Sequence, residues 1–441
     1  MSIKVGMVSL GCPKNQVDAE IMLADLKNAG FDIVTEPGLA DVVIINTCGF
    51  IEDSKKESIE NIFEFCQLKK EGQIKYIVVT GCLAERYKLE IEDEIPEADV
   101  ILGIGSNHIL IDAINKCFEG QKTTQFDEKE NLRLTGDRII SNLPFFAYLK
   151  IADGCDNCCT YCAIPYIRGR YRSRTIEDIL DEAKWLSENG VKEIILIAQD
   201  TTRYGEDIYG ELLLPKLLSE LCKISGIKWI RILYTYPDRI TDELLDVMNK
   251  EDKIVKYLDI PLQHVSKNIL KAMNRKGSFQ SLTALIKNIR QKVSGIVIRT
   301  TFIVGFPGET EEDFEQLTDF VKTVKFERLG CFKYSPEEGT IAAEMCDQID
   351  HLVKSRREEV IMNEQMLIIQ EFNQKFIGKK IEVVVEGFDK YGECYFGRSE
   401  NDAPDIDGKV FFDCKEKLSI GEFVNVNIID TMDYDLFGTV I

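Results

Sequence analysis

Through roughly the first 120 residues, short apolar runs alternate with stretches of helical periodicity. The runs fall at 4–10, 41–45, 75–80 and 98–103, with a weaker one at 31–34; amphipathic stretches such as 16–29 and 54–68 lie between them. Strand-length runs separated by helical patterns predict βαβ units and a doubly wound parallel sheet. A polar connector rich in Thr, Asp, Glu and Lys follows over 120–142 and reads as a linker with some local structure.

A second alternation starts near Pro144. Candidate strands are 145–151, 193–198, 228–233, 257–261, 297–304 and 328–334, with helical patterns between them at 175–188, 214–224 and 311–324. Six βα repeats are too few for a closed eight-stranded barrel, so a partial (β/α)6 barrel, open on one side, is expected. The stretch 355–375 is charged and helical, and beyond Gly378 five short strands follow at 381–386, 393–398, 408–412, 423–429 and 436–441. Their number and spacing predict a small all-β barrel of the OB-like kind. The expected division of this α/β chain is therefore 1–120, a linker 121–142, a barrel domain 143–376 and a small barrel 377–441.

Composition adds two constraints. A hydrophobic content of 44% is ample for packed cores, and no run approaches the ~20 apolar residues of a membrane span. The start, MSIKVGMVSLGCPKN, lacks the parts of a signal peptide, so a cytoplasmic protein is expected. The net charge of −21 disfavours a partner held mainly through phosphates and favours a basic protein. Fourteen cysteines in such a chain point to metal or redox chemistry rather than to disulfides.

Their spacing is specific. In GCDNCCTYC, Cys155, Cys159 and Cys162 form C-x3-C-x2-C directly after the predicted strand 145–151. Three thiolates on one loop can hold three irons of a cubane and leave the fourth without a protein ligand, whereas ordinary 4Fe–4S centres use four cysteines. A structural zinc is the alternative, but it calls for four closed ligands in paired knuckles, and no second knuckle follows. Cys158 breaks the three-ligand spacing and reads as a bystander.

A second set is defined by topology. Cys12 in SLGCPKN, Cys48 in INTCGF and Cys82 in VTGCLAERY are each the first cysteine beyond a predicted strand. They lie 36 and 34 residues apart, about one βαβ unit each. In a parallel sheet all three project from one edge, where open α/β sheets place their ligands. Three independent core cysteines are the alternative, since a free Cys is often a small buried residue. Cys66, Cys117, Cys222, Cys331, Cys346, Cys394 and Cys414 show no such pattern and read as structural.

C-x3-C-x2-C after the first strand of a partial βα barrel resembles the radical S-adenosylmethionine superfamily. The resemblance implies that the open iron binds S-adenosylmethionine and that the reduced cluster cleaves it to a radical able to attack unreactive C–H bonds. With a second cysteine triad and a terminal β-barrel, the whole chain is similar to the methylthiotransferase family. That family implies two 4Fe–4S clusters, one on Cys12, Cys48 and Cys82 and one on Cys155, Cys159 and Cys162, and a C-terminal TRAM domain. It implies conversion of C–H to C–S–CH3 with two S-adenosylmethionine molecules, and an electron donor such as a flavodoxin or ferredoxin. A monomer is the simplest expectation.

Further cofactor contacts are expected at Gln199 and Asp200, which end the second barrel strand. Gly305 is expected in the same role, in GFPGE, which resembles a loop for the cofactor's adenine. In RGRYRSR, Arg168 is a candidate for the cofactor's carboxylate, although alternating arginines also occur on solvated edges. His264, after Gln263, reads as a structural histidine.

Two subgroups of the family compete. One acts on isopentenyladenosine in tRNA; the other methylthiolates the β-carbon of an aspartate in small-subunit ribosomal protein S-twelve. SLGCPKNQVDAE and RSENDAPDIDG resemble the second. The tail agrees, with seven Lys and Arg against fourteen Asp and Glu over residues 379–441. An acidic barrel suits a basic ribosomal protein better than RNA. A non-catalytic iron–sulfur scaffold or RNA adaptor is the reading from another class, and the acidic barrel and the open ligand position both argue against it.

Overall fold

The computed structural model describes residues 2–441. The chain forms two compact units. Unit 1 comprises residues 1–141, 150–174 and 337–340; unit 2 comprises 142–149, 175–336 and 341–441.

Unit 1 is built on a six-stranded parallel sheet. Its strands are β1 (Lys4–Ser9), β2 (Asp32–Val34), β3 (Val42–Thr47), β4 (Tyr76–Gly81), β5 (Val100–Leu102) and β6 (Thr123–Gln125), in the order β2-β1-β3-β4-β5-β6. Alternate residues of the inner strands feed two cores. Val43, Ile45, Ile77 and Val79 pack against α2 (Glu52–Lys70) and α3 (Cys82–Glu94). Val42, Ile44, Val78 and Val100 pack against α1 (Pro13–Asn28) and α4 (Leu110–Phe118). Burial on both faces explains why these strands are continuous apolar runs. Cys66 lies in the first core and Cys117 in the second.

The polar connector is more ordered than a linker. Its Thr123–Gln125 is one of the sheet's two edge strands. Further on, buried Arg138 pairs with buried Glu20 of α1. A distant segment also belongs here. Glu337 is buried and pairs with Lys55 at 3.0 Å and Arg86 at 2.8 Å.

Unit 2 carries the partial barrel. Its strands are β7 (Phe146–Lys150, ending at the unit boundary), β10 (Glu193–Ile197), β11 (Trp229–Ile232), β12 (Ile254–Asp259), β13 (Val297–Val304) and β14 (Arg328–Lys333). They form one open sheet in the order β14-β13-β12-β11-β10-β7, as the six repeats predict. The short pair β8 (Ala152–Asp153) and β9 (Arg172–Ser173) lies in unit 1. The C-terminal strands β15 (Lys380–Asp389), β16 (Cys394–Ser399), β17 (Val410–Asp413), β18 (Phe423–Met432) and β19 (Asp435–Val440) close into a five-stranded barrel.

The loop after β16 is stitched to the larger sheet. Arg231 donates to the Glu400 carbonyl at 2.9 Å, Arg328 Nε to Asp402 at 3.2 Å, and Tyr257 to Asp407 at 2.6 Å. These contacts give RSENDAPDIDG a structural role within unit 2.

Candidate iron–sulfur site

The sheet order places β1 beside β3, with β2 on the far side of β1, so the chain reverses direction of travel between them. Ligands of open α/β sheets bind at such a switch, beyond the carboxyl ends of the strands. Cys12 follows β1 as the N-cap of α1, Cys48 follows β3, and Cys82 opens α3 after β4. Two helix N-termini thus begin at these thiols, and their dipoles favour negative charge there.

The loops leave no room for side chains beside the thiols. A Cβ on Gly11 would lie 2.6 Å from Cys48 Sγ. Gly81 has φ +95°, and a Cβ there would lie 2.5 Å from the Thr47 carbonyl oxygen. Asn15 latches the strand ends together, donating to the carbonyls of Leu10 at 2.8 Å and Thr47 at 3.2 Å. Ser58 Oγ pins Cys48, accepting from its N–H at 3.0 Å and donating to its carbonyl at 2.9 Å.

Burial pushes the Cys48 thiol up, and pushes Cys82 up to about 12 against the opposing pull of Arg168. Such thiols ionise when a metal takes them, because a coordinating thiol is deprotonated outright. Among the described residues no three His, Cys, Asp or Glu side chains converge on a single-ion site. A cubane offers a separate iron to each thiolate and draws its ligands from further apart. Soft thiolates at glycine-lined strand ends suit such a cluster.

The second triad belongs to the same unit. Cys155, Cys159 and Cys162 are half-buried, whereas Cys158 is exposed with φ +50°. The antiparallel pair of β8 and β9 closes the base of their loop. Cys155 N–H donates to the Gly169 carbonyl at 3.2 Å, and a Cβ on Gly154 would lie 2.0 Å from the Arg170 oxygen. The helix α5 (Ile164–Arg168) follows at once, and Cys82 packs in one buried cluster with its Ile167 and with Ala163, the residue after Cys162. The two triads are therefore brought together, Cys82 lying against the residue next to Cys162.

Arg168 differs from its expected place as a partner for the cofactor's carboxylate. It is buried inside unit 1, with Nη1 at 2.8 Å from both Asp18 and Asp153. Its Nη2 lies 3.3 Å from Asn15 Oδ1 and 3.5 Å from Cys82 Sγ. Two carboxylates hold this guanidinium toward the first triad. Arg174 donates to the Lys150 carbonyl at 2.9 Å, and Arg172 to the Leu132 carbonyl at 3.3 Å. Arg170 is the exposed member, paired with Asp156 at 2.7 Å. Asn15, Asp18, Ser58 and Lys150 were not singled out from sequence; nothing in their spacing marks the contacts they make.

The remaining expected cofactor residues lie in unit 2. Gln199 and Asp200 follow β10. Asp200 is buried, accepting from Thr202 at 2.6 Å and pairing with Arg239 at 3.1 Å. Gly305, at φ +70°, follows β13, and its N–H and that of Phe306 donate to the buried Glu309 carboxylate. Burial pushes Glu309 up to about 7, while Arg357 at 3.2 Å opposes the shift. His264 is fully buried, its Nδ1 accepting from Ser266 N–H at 3.0 Å.

A parallel partial barrel, a C-x3-C-x2-C loop and a second thiol triad packed against it define a radical S-adenosylmethionine methylthiotransferase. Comparison with known proteins agrees. Residues 149–321 match the radical SAM superfamily, 4–103 the uncharacterized protein family UPF0004, and 377–441 the TRAM domain. The chain is 51% identical over 439 residues to the ribosomal protein uS12 methylthiotransferase RimO of Clostridium tetani, covering 99% of this chain and 98% of that one. It is likewise 51% identical over 442 residues to the protein of that name from Caldicellulosiruptor saccharolyticus, covering 100% of both. The chain belongs to the RimO family.

Among solved structures, the radical S-adenosylmethionine methyltransferase TsrM of Kitasatospora setae, with cobalamin and a [4Fe-4S] cluster bound, aligns with a TM-score of 0.58. The alignment has 14% identity and covers 78% of this chain and 77% of that one. The cobalamin-dependent enzyme OxsB aligns at 0.50 and 13%, covering 84% and 56%. At these identities the likeness concerns the fold alone.

Proposed function

We propose that the protein methylthiolates the β-carbon of an aspartate in ribosomal protein uS12, with Cys12, Cys48 and Cys82 holding one 4Fe–4S cluster and Cys155, Cys159 and Cys162 the other. The observation that carries this reading is the packing of Cys82 against Ala163 and Ile167, which gathers both triads into one unit. When bound, the clusters and S-adenosylmethionine supply the radical that removes an unactivated hydrogen and the sulfur that replaces it. The protein's own part is to hold the thiols, exclude water from Cys48 and Cys82, and brace the two loops on each other. Full-length identity of about half to proteins named as uS12 methylthiotransferases supports the substrate, and the tRNA alternative is not favoured.

Gln199, Asp200 and Gly305, at the carboxyl ends of their strands, are the positions we assign to S-adenosylmethionine, since parallel barrels build their sites there. Asp200 and Gly305 act mainly by fixing their loops, given the partners described above. A flavodoxin or ferredoxin would supply electrons to a monomer in the cytoplasm. No helix among the described residues is long and apolar enough to cross a membrane. The functional parts we infer are 1–120, 121–142, 143–376 and 377–441.

The test is anaerobic reconstitution followed by incubation with uS12 and, separately, with a tRNA anticodon stem. Mass spectrometry should find one added methylthio group on the protein. Cys155→Ala, Cys159→Ala or Cys162→Ala should abolish release of 5′-deoxyadenosine. Cys12→Ala, Cys48→Ala or Cys82→Ala should spare it and lose sulfur insertion. A modified tRNA beside untouched uS12 would overturn the substrate, and identical behaviour of the two cysteine sets would overturn their division of labour.

A further inference from the structure

Four charges lie buried together in unit 1, one of them in contact with Cys82. Lys150 and Arg168 are the cations; Asp18 and Asp153 are the anions, and each cation contacts both. The quartet is neutral as a whole, yet it is oriented. The edge of Arg168 carrying Nη2 faces Asn15 and Cys82, while both carboxylates meet Nη1. Its positive end is thus turned to the sulfur at 3.5 Å.

A cation desolvated to this degree persists only where its partners return the lost hydration energy. A hydrocarbon side chain of similar volume would fill the space without that cost. The guanidinium brings something a strut does not, namely a fixed donor and a charge beside one thiol. Hydrogen bonds to sulfur and net charge are among the quantities that set a cluster's potential and its retention.

We propose that Arg168 is a positioning residue of the N-terminal cluster. Through its contact with Cys82 it raises that cluster's reduction potential and helps to retain it, and Asp18 moderates the effect. Because Arg168 ends the helix that follows Cys162, the same side chain ties the electrostatics of one cluster to the loop of the other. This inference rests on the reading that Cys12, Cys48 and Cys82 bind a cluster.

The test uses the full chain carrying Cys155→Ala, Cys159→Ala and Cys162→Ala together, so that the N-terminal cluster alone is observed. After anaerobic reconstitution this background should hold about four irons per chain; a chain that binds none overturns the reading of the first triad and this proposal with it. A reductive titration followed by electron paramagnetic resonance then gives the midpoint potential. Arg168→Met should shift it to more negative values and lower the iron content. Arg168→Lys, which keeps the charge but not the fork, should shift it less. Asp18→Asn, which removes a negative charge and keeps the guanidinium, should shift it to more positive values. A purely structural role would loosen the site in the same sense whichever partner is removed. Equal-signed shifts, or an unmoved midpoint in a background that holds iron, overturn the proposal. If Arg168→Met does not fold, Arg168→Lys and Asp18→Asn decide it by the sign of their difference.

Discussion

Arg398 on β16 of the small barrel and Glu193, the first residue of β10, form an ion pair enclosed on all sides. Glu193 also accepts from Arg231 Nε at 2.9 Å, and Arg398 Nε donates to Glu386 at 2.7 Å. Burial raises the Glu193 carboxyl, but the guanidiniums of Arg398 and Arg231 outweigh it and hold the group below the usual carboxylate range. Glu193→Gln leaves two buried cations short of an anion and should cost about 3–5 kcal/mol in urea denaturation. Arg398→Met should cost a similar amount, and the double variant less than the sum of the two. Strict additivity would show that the pair is not coupled.

Gly81 tests the fit of the first triad to a bulky group. Its φ of +95° and ψ of −163° lie in a region open essentially to glycine. Gly81→Ala should cost roughly 1–3 kcal/mol from backbone strain alone, and more from the clash with Thr47. Gly190, at φ +90° and with open space where a Cβ would stand, is the control. Iron retained at the N-terminal site should fall in Gly81→Ala and stay unchanged in Gly190→Ala. Equal iron in both would mean that the Gly81 turn does not shape the site.

The segment 337–340 is held to unit 1 through Glu337. Glu337→Gln weakens two charge-assisted bonds, each worth about 1.5–3 kcal/mol. Amide hydrogen exchange should speed up in 337–340 and in the first turn of α2 more than in the sheet. Uniform acceleration across the chain would argue that the contact is not a local anchor.

His264 carries a pH signature. Burial, with Arg357 adding to it and Asp313 opposing, pushes its pKa down from 6.5 to about 3. Below pH 6.5 the unfolded chain takes up a proton that the native state refuses until about pH 3, so stability falls as pH drops through that window. The slope is of order 1 kcal/mol per pH unit. Urea midpoints of the parent and of His264→Gln, compared between pH 7.5 and 5, should diverge, with the parent losing more on acidification. Parallel curves would remove His264 from the acid response.

Much of this architecture was legible before the structure. The barrel strands β7 and β10 are legible because each is a largely apolar run buried throughout, whereas β13 alternates buried and half-buried positions. The first triad was legible for a topological reason: Cys12, Cys48 and Cys82 recur one βαβ unit apart, and parallel strands deliver such positions to one edge. The strand Thr123–Gln125 is silent in the sequence because it lies at an edge and lacks an apolar pattern. In the sequence Arg168 is simply one of four alternating arginines. Its true surroundings depend on Asp18, 150 residues away in sequence, and no periodicity encodes that pairing. Glu337 was silent for the same reason, since its partner Arg86 is 251 residues distant.

The stitching of the loop after β16 bears on how such enzymes can be cut or recombined. Without residues 377–441, the cations Arg231 and Arg328 would lose partners at Glu400 and Asp402, and Glu193 would lose Arg398. The terminal barrel is therefore not a cassette that can be traded between relatives on its own. A graft would have to carry the facing residues of the larger sheet, Glu193, Arg231 and Arg328 among them, along with the barrel.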